Sequence, residues 1–125
     1  MKEKRQLTKA ETQVMNALWS LPAEGATSAE IMELMPEPKP ALTTLLTFLK
    51  NLREKGFVVT EKMGKALRFI PAISREHYTS MFMNEVKNTF FGGSLLSLVS
   101  FFAKHEQLSD EEINEIAQII KDLQH

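Results

Sequence analysis

Three prolines within five residues, Pro36-Glu37-Pro38-Lys39-Pro40, place the strongest constraint on this 125-residue chain. Proline lacks a backbone donor, fixes its own φ and disfavours helix at the residue before it. The segment must therefore be extended, and helices on its two sides are separate elements. Upstream, Thr8-Lys9-Ala10-Glu11 has capping-box spacing, a hydroxyl acceptor followed three residues later by a carboxylate. Ala10, Val14, Ala17, Leu18 and Leu21 then recur with helical period up to Pro22. Thr27-Ser28-Ala29-Glu30 repeats the capping spacing before a short helix carrying Ile31, Leu34 and Met35. Downstream, the spacing predicts a third helix from about Ala41 to Lys55, with Gly56 as its stop. Leu42, Leu45, Phe48, Leu49 and Leu52 share one face of it. Thr43, Thr44, Thr47, Lys50 and Asn51 take the opposite face, with Leu46 at the border.

Phe57-Val58-Val59-Thr60-Glu61-Lys62 is rich in β-branched residues and reads as a strand. Met63-Gly64-Lys65 offers a tight turn, and Ala66-Leu67-Arg68-Phe69-Ile70 returns. Three short helices followed by a basic-tipped hairpin is the order of a winged helix-turn-helix domain. The fold expected is mostly α with one small β-hairpin: residues 1–71 the winged domain, residues 72–125 a helical dimerisation domain.

From Ser74 onward the pattern is helical, with Tyr78, Phe82 and Val86 in one stripe and Met81 beside them. Gly92-Gly93 breaks the run before a helical segment at residues 94–104. Ser109 and Glu112, again at capping-box spacing, open a last helix whose apolar face is Ile113, Ile116, Ala117, Ile120 and Leu123. In Leu95-Leu96-Ser97-Leu98-Val99-Ser100-Phe101-Phe102 the apolar residues span roughly 220° of the helical wheel, whereas a surface helix needs an apolar face of only ~100°. A short tail cannot cover such an arc alone, so a second copy is expected to bury Leu95, Leu98, Val99, Phe101 and Phe102 together with Ile116 and Ile120.

The formal net charge of −1 hides an asymmetry. Residues 1–70 hold eleven basic and eight acidic side chains, net +3, and residues 71–125 hold four basic and eight acidic, net −4. A basic front half points to a nucleic-acid face, while the near-balance of the whole excludes a protein that coats nucleic acid by bulk charge. There is no Cys, hence no disulfide, thiolate metal cage or Cys nucleophile. His77, His105 and His125 have no triad or metal-ligand spacing and read as solvated, His105 in a loop. Gly92-Gly93 lacks the Lys of a phosphate loop. Neither an enzyme, a metal nor a cofactor is expected. Met1-Lys2-Glu3-Lys4-Arg5 leads into no apolar stretch, so a cytoplasmic protein without membrane insertion is the expectation.

A helix entering the major groove needs short polar side chains near base edges and phosphates, and cations to hold register. Thr43, Thr44 and Thr47 supply hydroxyl donors and methyls, and Leu46 an apolar tip suited to a thymine methyl. Lys50 and Lys39 are candidate phosphate anchors on the helix side, Lys62 and Lys65 on the hairpin tip. The competing reading is a winged-helix interaction module whose threonine face is inert and whose tail docks another protein.

Taken together, Glu11, Val14-Met15 and Leu18-Trp19, then Thr43-Thr44-Leu45-Leu46-Thr47-Phe48-Leu49 and Leu52-Arg53-Glu54-Lys55-Gly56-Phe57, then Phe91-Gly92-Gly93-Ser94 through Val99 and Leu108-Ser109 through Ile113 form a recognisable set. From Leu7 to Leu123 the chain resembles the penicillinase-repressor family of BlaI/MecI type, winged-helix transcriptional repressors. The resemblance implies a homodimer on a dyad-symmetric DNA operator, with contacts at Thr43, Thr44, Leu46, Thr47 and Asn51. It also implies release when a membrane sensor metallopeptidase triggers cleavage in the dimerisation domain. Family members often carry Lys or Arg at the positions of Thr43, Leu46 and Asn51. Their Asn-Phe cleavage bond falls here on Ser100-Phe101.

Overall fold

The computed structural model describes residues 6–124. Met1–Arg5, on which the reading of the N-terminus rested, and His125 lie outside them. The order is α1 (Lys9–Trp19), α2 (Ser28–Leu34), α3 (Leu42–Glu54), β1 (Val58–Met63), β2 (Ala66–Pro71), α4 (Arg75–Phe91), α5 (Leu95–His105) and α6 (Asp110–Leu123). The chain is mostly helical with one antiparallel hairpin, and it forms two compact units, the first ending at Phe82 and the second beginning at Met83.

The capping signals act as the sequence predicts. Thr8, Thr27 and Ser109 each accept the backbone N–H of the glutamate three residues on, and each glutamate accepts the cap residue's own N–H. Each helix start thereby satisfies two donors that the helix itself leaves unpaired. The prolines do separate α2 from α3. At the end of α3, Gly56 donates to Arg53 and Phe57 to Leu52, the paired bonds of a Schellman stop. Gly56 takes the left-handed conformation this requires, at φ +88°, and the stop brings Phe57 into the core beside Leu52.

The hairpin runs in register from Val58 opposite Pro71 to Met63 opposite Ala66, with Gly64-Lys65 as its tip. Ala26 adds a further antiparallel bridge on the strand: its N–H donates to the Phe69 carbonyl at 2.9 Å and its carbonyl accepts from Phe69 at 2.7 Å. This third, one-residue strand has no hydrophobic alternation and escaped the sequence reading. The signal for it is Gly25, at φ +109°, where a Cβ would stand 2.7 Å from the Phe69 carbonyl oxygen.

One core fills the first unit. Val14, Met15 and Leu18 of α1, Ile31 of α2 and Leu45, Leu49 and Leu52 of α3 are fully buried. Phe57, Val58 and Phe69 close it from the hairpin, and Tyr78 of α4 from the other side. Tyr78 meets Phe57 edge-on with ring centroids 5.6 Å apart, and its hydroxyl accepts the Leu7 N–H at 3.2 Å. The Trp19 indole donates to the Ile73 carbonyl at 2.9 Å, holding the chain as it leaves β2.

In the second unit Leu98 is the one large apolar side chain buried among the described residues, and nothing on α6 is buried. Leu95, Val99, Phe101, Phe102, Ile113, Ile116 and Ile120 are all exposed. An open groove of about 930 Å³, walled by Met83, Leu98, Phe102, Ala103, Ile113 and Ile116, runs through it. His105 closes α5 instead of lying in a loop, because its ring stacks on Phe101 at 4.3 Å and its Nδ1 reaches the Phe101 carbonyl at 2.8 Å. No helix among the described residues is long and apolar enough to cross a membrane.

Candidate nucleic-acid interface

Burial of Leu45, Leu49 and Leu52 fixes the roll of α3, and the opposite face is left to solvent. Thr43, Thr44, Leu46, Thr47 and Lys50 are exposed there, and Asn51 is half-buried. Leu42 departs from expectation. It is 53% exposed, because helical period sets the direction in which a side chain leaves the axis, whereas burial also needs another element at that height. Phe48 is only partly buried for the same reason. Arg53, absent from the sequence reading of the face, is exposed on α3 as well. The acidic residue of α3, Glu54, comes at its end, so the outward face presents hydroxyls, cations and two leucines.

The hydroxyls are not equivalent. Thr47 Oγ1 donates to the Thr43 carbonyl at 3.0 Å. Its proton is thus engaged within the helix, and what it offers outward is oxygen lone pairs and a methyl. Thr43 and Thr44 make no such bond, so their donors are available to a ligand.

On the wing, Lys62 near the end of β1 and Lys65 in the turn itself are exposed. Arg68, farther down the strand, is instead drawn inward: it pairs with Glu61 at 3.8 Å and donates to the Glu24 carbonyl at 3.3 Å. Lys39 is a correction to the sequence reading. Its ammonium donates to the carbonyls of Met32, Glu33 and Met35 at 2.9, 3.0 and 2.9 Å. It caps the C-terminal end of α2, where unpaired carbonyls attract a cation, and all three of its protons are used.

One further ionisable pair sets the frame. Glu11, 3% exposed, accepts from Lys55 Nζ at 2.6 Å, tying the first turn of α1 to the end of α3. Burial alone would push this carboxyl up. The Lys55 hydrogen bond, the Thr8 backbone N–H and the Lys55 charge outweigh it and hold Glu11 below the ordinary carboxylate range. The pair spans 44 positions in sequence and has no local signature.

In the second unit, Ser100 and Phe101 lie inside α5 with helical backbone on both sides. Phe101 also packs against Phe91, at 5.6 Å between ring centroids. Among the described residues no group of His, Cys, Asp and Glu side chains is arranged to hold a metal ion.

The sequence matches the penicillinase repressor family over residues 7–122. It is 33% identical to the penicillinase repressor of Bacillus licheniformis over 122 residues, 98% of this chain and 94% of that protein. It is 25% identical to the penicillinase repressor of Staphylococcus aureus, over 94% of this chain and 93% of the relative. It is 26% identical to the methicillin resistance regulatory protein MecI of Staphylococcus aureus strain N315, over 92% and 93%.

Proposed function

The chain belongs to the penicillinase repressor family, a family of transcriptional regulators and not of enzymes, and from that premise we propose that it is a homodimeric repressor of a dyad-symmetric DNA operator. The observation that carries the proposal is the division of α3. Its leucine face is locked into the core, and its free face bears Thr43, Thr44, Leu46, Thr47, Lys50 and, at its edge, Asn51. In this reading α3 lies in the major groove and Thr43 and Thr44 donate to phosphates or base edges. Thr47 accepts, Lys50 holds a phosphate, and Lys62 and Lys65 of the wing meet the neighbouring backbone.

The second unit supplies the reason for a dimer. Leaving Leu95, Val99, Phe101, Phe102, Ile116 and Ile120 exposed in a stretch with one buried leucine gives it too little core to stand alone. A second copy brings a matching set of apolar faces, and the isologous contact closes on itself. Leu98, already buried in the single chain, then supports the interface from beneath.

Signal-dependent release, through cleavage at Ser100-Phe101 by the pathway of a membrane sensor metallopeptidase in the cytoplasm, completes the proposal. Proteases favour exposed, flexible chain, so scission there requires α5 to unwind locally. The signal would have to loosen the dimer before the bond breaks.

Selection of bound duplexes from a random pool, at one fixed ionic strength, tests the central claim. The expected product is an inverted repeat with half-sites about one helical turn, ~10 bp, apart or a small multiple of it. Equal affinity for the selected and scrambled duplexes overturns it in favour of an interaction module.

A further inference from the structure

We infer that α3 reads thymine C5-methyl groups through an apolar rail made by Leu42 and Leu46, an inference that rests on the repressor reading above. Leu42 is 53% exposed and Leu46 41%. At 100° per residue they stand within about 40° of each other on the helix. Thr44, Thr47 and Asn51 occupy the far flank of the exposed arc, and Thr43 and Lys50 the middle. The outward face is therefore two-sided, with an apolar rail along one edge and a hydroxyl rail along the other.

A single exposed leucine is ordinary. Two leucines one turn apart, with Lys50 and Arg53 exposed on the same helix, combine apolar tips with a cationic setting. The partner that fits is anionic overall and carries small apolar projections between its charges. The major groove offers this where the C5-methyl of thymine stands out among hydrogen-bonding edges. Spacing adds a constraint. Residues four apart rise about 6 Å along a helix, and bases on one strand rise about 3.4 Å per step. When the helix lies along the groove, the two leucines address thymines about two steps apart on one strand.

The test uses the full-length chain and its selected operator, with each thymine of one half-site replaced in turn by deoxyuridine. This removes only the methyl and leaves the Watson–Crick and groove hydrogen bonds in place. Burial of one methyl corresponds to about a fourfold change in affinity, so two positions, two steps apart, should each lose roughly three- to fivefold. Leu42→Ala should abolish the discrimination at one of them and Leu46→Ala at the other. Both side chains are exposed, and unchanged Trp19 fluorescence verifies that each variant keeps its core. A selected half-site without thymine, or uridine tolerated at every position by the unaltered protein, refutes the rail while leaving the repressor reading intact. Failure to select any operator removes that reading and the rail with it. Thymine discrimination that survives both substitutions refutes the assignment to these residues.

Discussion

Replacing Lys55 with methionine keeps the aliphatic stem and deletes the charge that faces Glu11 at 2.6 Å. The carboxylate it leaves is 3% exposed. Breaking a buried pair by removing one partner costs about 3–5 kcal/mol. The Lys55 side chain is 30% exposed, so water can enter where its nitrogen was, which lowers the expected loss to about 2–4 kcal/mol near neutral pH. The pH dependence is more diagnostic than the loss itself. In the intact protein the folded-state pKa of Glu11 is depressed below its ordinary value near 4.5. The pair's contribution is therefore present above that value and disappears as pH falls through the folded pKa. Without Lys55, burial is opposed by the Thr8 hydrogen bonds alone, and the carboxyl rises above its ordinary value. The variant then loses stability as pH rises through that interval. The gap between the two proteins should be smallest at the acid end of the range and widen as pH rises toward neutrality. Urea unfolding followed by Trp19, the single tryptophan of the chain and a reporter of the first unit, measures it at each pH. A Glu11→Gln, Lys55→Met double variant should recover part of the loss. A gap under about 1 kcal/mol at neutral pH, or one that does not change with pH, would refute the reasoning.

Two other substitutions probe separate features. Gly25→Ala should lower the melting temperature by a cost of about 2 kcal/mol or more, since φ is +109° and the new Cβ meets the Phe69 carbonyl, Ile70 and Arg68 within 2.8 Å; an unchanged melt contradicts the account of the Ala26 bridge. Ile120→Asp places a charge on a half-exposed position of α6 without entering a core of its own chain. It should yield monomers by sedimentation equilibrium and weaken operator binding about tenfold or more, whereas a retained dimer mass overturns the interface assignment.

Local chemistry was readable from the residues and longer-range chemistry was not. The capping pairs Thr8/Glu11, Thr27/Glu30 and Ser109/Glu112 act within four residues, so spacing alone identifies them. The hairpin follows from the β-branched run at residues 57–62 and the turn around Gly64, although Met63, read as part of the turn, belongs to the strand and pairs with Ala66. Lys39 looked like a phosphate anchor because nothing in its neighbours announces that the end of α2 folds back over its ammonium. Glu11 read as a helix-start acid, which it is, but its second partner arrives from α3 through the tertiary fold. Leu42 was assigned to the core face by angle. Its exposure depends on what packs beside the first turn of α3, a property of neighbouring elements and not of α3 itself.

The engagement of Lys39 with the end of α2 also bears on the ion atmosphere of the DNA. The Lys39 ammonium uses its three protons on carbonyls and has none left to donate to a phosphate oxygen. Among the described residues of α3 and the wing, Lys50, Arg53, Lys62 and Lys65 are the exposed cations. Each phosphate they neutralise releases about 0.9 of a counterion, so these four contribute a slope of log K against log salt near −4 per subunit and about −7 for a dimer. Electrolyte would then govern how tightly α3 and the wing hold the site through four positions per subunit.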